Sequence, residues 1–190
     1  ALAVKMLASS GVDALVVVEV HKEDVLEWFP GERVNVRPYK YMADVAGLRG
    51  GDILVLAPDL GALERARMLA THIGAGYDYL IKKRDRVTGE VVIEPKSIDA
   101  RGKRVIIVDD IVSTGGTVAK AAASLLGQGA RSVEVMVAHW MGVPGAPERL
   151  RAAGVSRVIA GLTLPPADTG GLVEYIDLAP LLAESVRELA

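Results

Sequence analysis

Cysteine is absent from all 190 residues. No disulfide framework can form, and no thiolate is available as nucleophile, redox group or metal ligand. Net charge is nearly absent too, at −2, which gives no footing for a nucleic acid or an acidic membrane as partner. No apolar run is long enough to span a bilayer, and the alanine-rich start lacks the basic n-region of a signal peptide. These absences fit a cytoplasmic protein. Internal repeats and low-complexity tracts are also missing. What is plentiful is apolar: 51% of the residues are hydrophobic, enough to bury the core of one sizeable domain plus a piece of another.

Short apolar runs alternate with helical patterns. Strand-like runs occupy residues 15–20, 53–57, 77–81, 91–93, 105–108, 133–138 and 155–160. Helical patterns fill residues 22–29, 39–47, 62–73, 117–126, 147–153 and 180–189. Strands separated by helices predict an α/β fold with a mainly parallel sheet covered on both faces. Residues 1–8 read as the apolar middle of a helix with no capping residue before it, so further sequence is expected ahead of Ala1.

The segment Val105-Ile106-Ile107-Val108-Asp109-Asp110-Ile111-Val112-Ser113-Thr114-Gly115-Gly116-Thr117 carries the clearest chemistry. A buried apolar strand delivers two adjacent carboxylates to its C-terminal end, the edge where open α/β sheets bind ligands. Gly115 and Gly116 let backbone N–H groups turn toward a ligand. A helix starting near Thr117 offers its positive end to a phosphate, and Ser113, Thr114 and Thr117 add hydroxyl donors. The loop suits a monophosphate. Asp109 and Asp110 suit the hydroxyls of a sugar, or Mg²⁺ bound to them. It is not a nucleotide P-loop, because no Gly-x-x-x-x-Gly-Lys-Ser/Thr occurs.

Val-Asp-Asp-Ile-Val-Ser-Thr-Gly-Gly-Thr resembles the phosphoribosyl-pyrophosphate signature. Two families share it: type I phosphoribosyltransferases and the ribose-phosphate diphosphokinases (phosphoribosyl pyrophosphate synthetases). The signature does not choose between them. Three more segments resemble the diphosphokinases, in archaeal-like form. Val18-Glu19-Val20-His21 is similar to their Val-Asp-Leu-His. Pro58-Asp59-Leu60-Gly61-Ala62, with Arg65-Ala66 after it, is similar to their pyrophosphate loop. Lys82-Lys83-Arg84 is similar to the Lys-x-Arg of their catalytic flexible loop. Each has a plainer reading by itself: a surface histidine, an N-cap aspartate and a solvated charged hairpin.

The resemblance implies diphosphate transfer from ATP to ribose 5-phosphate, with AMP released and Mg²⁺ as cofactor. It assigns the 5-phosphate to Ser113, Thr114, Gly115, Gly116 and Thr117, and the ribose hydroxyls to Asp109 and Asp110. Asp59, Leu60 and Gly61 would form the pyrophosphate loop, with Asp59 and His21 on the metal side. Lys82, Arg84 and His21 would be catalytic, the cations acting on charge in a loose phosphoryl-transfer transition state. The implied organisation is the tail of an N-terminal phosphoribosyltransferase-like domain at 1–36, a second such domain at 37–175 and a C-terminal helix at 176–190. The family's arrangement is a homo-oligomer of two-domain chains with the active site between the domains.

Departures from the pattern are Glu19 in place of aspartate, Ser113 where many members carry a third aspartate, and Ala62 where a second glycine is usual. Gly161-Leu162-Thr163-Leu164 lacks the usual Thr-Asp-Thr, and His139-Trp140 matches a Thr-His segment only loosely. The acidic-aromatic and Arg-Gln-Asp motifs that contact ATP in the family are not found. A type I phosphoribosyltransferase, or an inactive fragment or regulatory homologue that binds phosphoribosyl groups, therefore stays open.

Overall fold

The computed structural model describes residues 2–84 and 91–189, with the backbone alone for residues 82–84, 91, 92 and 94. The chain divides into two compact units, Ala1–Pro38 with Asp177–Ala190, and Tyr39–Ile176.

The first unit contains α1 (Leu2–Ser9), β1 (Ala14–Val18) and β2 (Glu32–Val36). β1 and β2 form a two-stranded parallel sheet, with Ala14 opposite Glu32 and Val18 opposite Val36. The helix expected at 22–29 is a 3-10 turn, Glu23–Trp28. The extended Phe29 confines the segment to six residues, which leaves little room for α-helical hydrogen bonds. β2 went unread because Glu-Arg-Val-Asn-Val alternates weakly and is short. Gly31 before it has a steric reason: a Cβ there would stand 2.2 Å from the Asp13 carbonyl oxygen.

The second unit runs α2 (Tyr39–Val45), β3 (Ile53–Ala57), α3 (Leu63–Ile73), β4 (Gly76–Arg84), β5 (Val91–Pro95), β6 (Arg104–Val112), α4 (Gly116–Gly127), β7 (Ser132–Trp140), α5 (Ala146–Ala152), β8 (Val155–Gly161) and β9 (Val173–Ile176). The terminal helix α6 (Ala179–Arg187) belongs with the first unit and packs on β1 and β2. The expected boundaries were 36 and 175; the division falls after Pro38 and Ile176.

The sheet of the second unit has seven strands in the order β5-β4-β3-β6-β7-β8-β9. Every pair is parallel except β4–β5, which is antiparallel. All of β3 is buried, and β7 is buried from Val133 to Ala138 without a break. Unbroken burial is what a parallel strand covered on both faces requires. Leu54, Leu56, Val105, Ile107, Val133, Val135 and Val137 point into one core with α4 and α5. On the other face α3 packs against β3, β4 and β6. The outer strand β5 is also tied down: the Ile93 carbonyl accepts bonds from Ser124 Oγ on α4 and, at 2.7 Å, from Nε2 of Gln128, the residue that caps α4.

Candidate functional site

β3 and β6 are parallel neighbours, Ile53 opposite Arg104 and Leu56 opposite Ile107. Each runs into a turn and then a helix, so both turns open on the carboxyl edge of the sheet, where such sheets bind ligands. A cavity of about 270 Å³ lies there. Its lining includes Pro58, Asp59, Asp109, Ile111, Val112 and the run from Ser113 to Val118. The structure thus brings together Asp59, Asp109, Ser113, Thr114, Gly115, Gly116 and Thr117.

Asp110 does not join them. The strand was expected to end at Val108, but β6 continues to Val112. Successive side chains on a strand point to opposite faces. Asp109 and Ile111 therefore face the cavity, and Asp110 turns inward with only 3% of its surface exposed. There its Oδ2 accepts a bond from Arg65 Nη2 of α3 at 3.3 Å. The two adjacent acids, read as a pair of sugar contacts, divide into one that lines the cavity and one set behind the strand. Arg65 gained its place from tertiary structure alone, since 45 residues separate the partners.

Two further contacts set the acidic strand. Fully buried Tyr39 donates its hydroxyl to the Asp109 carbonyl at 3.1 Å. One Asp109 carboxylate oxygen accepts the Asp110 N–H at 2.9 Å. Burial pushes the Asp109 carboxyl up from 3.8 to about 7, opposed by that N–H and by Arg65, and reinforced by the Asp110 charge. The folded protein thus keeps a proton that the unfolded chain has already lost. That contribution is full below the unfolded value of 3.8 and is lost as pH rises through about 7. Asp109→Asn is expected to flatten the fall in unfolding free energy between about pH 4 and 7, read by denaturant titration at several pH values. An unchanged slope would mean that Asp109 is ionised throughout.

The loop after β6 takes its shape from glycine. Gly115 has φ +73 and ψ 4, left-handed values that glycine alone adopts without strain. α4 begins at the next residue, and the Gly115 carbonyl accepts from Ala119 N at 2.8 Å. Free N–H groups at a helix start favour an anion, and the hydroxyls of Ser113, Thr114 and Thr117 sit in the same lining.

Asp59 caps its turn: its Oδ1 accepts from Gly61 N at 2.8 Å and Ala62 N at 3.3 Å. The capping role is real, and Oδ2 remains for a ligand in the cavity. Leu60 is 63% exposed and Gly61 is exposed beside it. Ala62 has φ −93 and ψ 1, so nothing in its backbone calls for glycine. Among the described residues, no group of three or more His, Asp or Glu could hold a metal by itself. Mg²⁺ commonly takes one or two carboxylates plus substrate phosphates, and Asp59 with Asp109 supplies such a set.

His21 belongs to the first unit, exposed in a bend beyond β1. Just before it, buried Glu19 sits at φ +41 and donates its N–H to the Val36 carbonyl. Lys82 and Arg84 are in the backbone of β4, opposite Ile93 and Val91; their side chains, and the turn expected at residues 88–89, lie outside the described residues. Among the described residues, no helix is long and apolar enough to cross a membrane.

A mainly parallel α/β sheet with an acid near the end of β6, followed by a left-handed glycine and a helix start, presents the groups that suit an anionic ligand. The model of the family described as phosphoribosyl transferase domain matches residues 39–159, nearly all of the second unit. The chain belongs to that family. It is 47% identical over 187 residues to the ribose-phosphate pyrophosphokinase of Aeropyrum pernix, covering 97% of this chain and 60% of that protein. Its identity to the ribose-phosphate pyrophosphokinase of Saccharolobus solfataricus is 46% over 182 residues, covering 95% and 62%. Among solved structures, it matches the phosphoribosylpyrophosphate synthetase from Mycobacterium smegmatis with a TM-score of 0.81 at 27% identity, covering 100% of this chain and 64% of the other. The chain therefore spans about 60% of the length of the relatives it matches.

Proposed function

We propose that this chain is the greater part of a cytoplasmic ribose-phosphate diphosphokinase, which moves diphosphate from ATP to ribose 5-phosphate and releases AMP. The observation that carries the reading is identity of 46–47%, across nearly the whole chain, to proteins named ribose-phosphate pyrophosphokinase. The phosphate-loop cavity supports it in chemical terms.

On this reading the 5-phosphate sits at Ser113, Thr114, Gly115, Gly116 and Thr117, and Asp109 takes the ribose hydroxyls. Ile111 offers an apolar surface beside the sugar. Asp110 serves the site from behind, through Arg65, rather than by touching the sugar. Asp59, Leu60 and Gly61 take the diphosphate side. Asp59 and Asp109 would hold Mg²⁺, which when bound neutralises phosphate charge. Lys82, Arg84 and His21 keep their proposed catalytic roles on resemblance: cations that stabilise the transferring group, and an imidazole near the phosphates. Residues 1–36 are proposed as part of a second, similar domain, and the working protein as a homo-oligomer.

The test is AMP release from ATP, Mg²⁺ and ribose 5-phosphate, with ribose 5-phosphate affinity measured by calorimetry. AMP that appears only with ribose 5-phosphate is the expected result for a form of the protein with all its ATP contacts. Binding of ribose 5-phosphate is expected even from this chain alone. Turnover of phosphoribosyl pyrophosphate with a nucleobase, and none with ATP, would move the reading to a phosphoribosyltransferase.

A further inference from the structure

Among the described residues, the cavity lining includes two carboxylates, Asp59 and Asp109, and no lysine or arginine. A phosphate there depends on backbone N–H groups and hydroxyls, so the orientation of each peptide unit in the loop matters. Gly115 is the weak point. Glycine accepts positive or negative φ with similar ease, so the Thr114–Gly115 peptide could rotate and carry its N–H away from a ligand.

Something outside the loop holds that peptide. Arg149, 35 residues on in α5, donates a guanidinium N–H to the Thr114 carbonyl. Its neighbour Leu150 is fully buried and lies against Gly115: a Cβ placed there would stand 3.3 Å from Leu150 Cδ2 and Cγ. α5 is itself anchored, with Ala146, Pro147 and Leu150 buried and the helix packed on α4 and β8. No carboxylate pairs with Arg149 among the described residues.

We propose that Arg149 is a positioning residue for the phosphate loop: it pins the Thr114 carbonyl so that the Gly115 N–H is presented to a bound phosphate. This rests on the reading of the loop as a phosphate site. In a trans peptide the N–H points opposite to the C=O. Fixing the Thr114 oxygen on α5 therefore turns the Gly115 N–H away from α5. A cation on the carbonyl also polarises the peptide, which makes that N–H the stronger donor. The effect is selective for an anion, and Arg149 need not touch it.

The experiment uses the 190-residue chain and the variants Arg149→Met and Arg149→Lys. Two quantities are read: affinity for ribose 5-phosphate by calorimetry, and the Gly115 amide resonance by NMR without and with that ligand. Arg149→Met is expected to weaken binding roughly tenfold or more, the worth of a hydrogen bond to a charged group. The Gly115 amide should move in the free protein, and Arg149→Lys should recover most of the affinity because it keeps a charged donor. A purely structural role would not be rescued in this graded way. Unchanged affinity and an unmoved Gly115 amide in a folded Arg149→Met protein would overturn the proposal while leaving the functional reading intact. If the unaltered chain does not bind ribose 5-phosphate, the functional reading falls. The positioning role rests on that reading and falls with it.

Discussion

Arg65→Met is expected to lower the unfolding free energy by about 3 kcal/mol, because it strips the counter-charge from a carboxylate that has almost no access to water. Asp110 keeps 5% of its side chain exposed and Arg65 16%, with 3.3 Å between them. For a chain of this size such a loss moves the melting midpoint down by about 10 °C. Asp110→Asn placed in the Arg65→Met background should restore part of the stability, since it removes the charge that burial penalises. A double-mutant cycle over the two positions separates this pairing from packing effects. Independent, additive losses would show that the pair is not an energetic unit. The consequence for the site is indirect, because β6 carries Asp109 on its other face and any rotation of the strand moves both.

Gly115→Ala should show the reverse balance, a small loss of stability and a large loss of ligand. A left-handed backbone costs an L-residue roughly 1–2 kcal/mol, and here the new methyl also meets a buried leucine at 3.3 Å. The loop can relieve both only by leaving φ +73, which redirects the Thr114–Gly115 peptide and the first turn of α4. Affinity for ribose 5-phosphate is expected to fall about 100-fold, as misplaced donors do in preorganised sites. Gly102→Ala is the control. Gly102 has φ +70, with nothing within 4 Å of its would-be Cβ, so it carries the backbone strain without the contact. It should cost similar stability and no affinity. Equal losses of affinity in both variants would mean that the effect is general loosening.

The features that were legible in the sequence are those set by local pattern. Ile53–Ala57 was read to the residue because an unbroken aliphatic run with Pro58-Asp59 behind it has few alternatives. Gly115 was legible because the turn from strand to helix has to pass through a conformation suited to glycine. The end of β6 was not. Asp109 and Asp110 look like the start of a loop, and nothing local says that Arg65 lies ready to receive the second acid. Had the strand been carried four residues further, its two-residue period would have put the acids on opposite faces. Arg149 was invisible for the same reason, since its partner is a backbone carbonyl far away in sequence. Polar β2 and short β9 form because other strands pair with them, a kind of support that propensity does not encode. The proposed roles of Lys82, Arg84 and His21 rest on family likeness, and no periodicity would have suggested them.

The bonds from Ser124 and Gln128 to the Ile93 carbonyl bear on how the protein meets copies of itself. β5 is the last strand on its side of the sheet, and an outer strand normally offers a row of free backbone groups on which a foreign strand can grow. Here the side chains of Ser124 on α4 and of Gln128, which caps it, occupy a carbonyl at the middle of that row. An incoming strand would have to displace both before it could form a ladder in register. The clasp thus acts as a guard against runaway sheet extension, and it steers any symmetric assembly toward side-chain surfaces and away from this border.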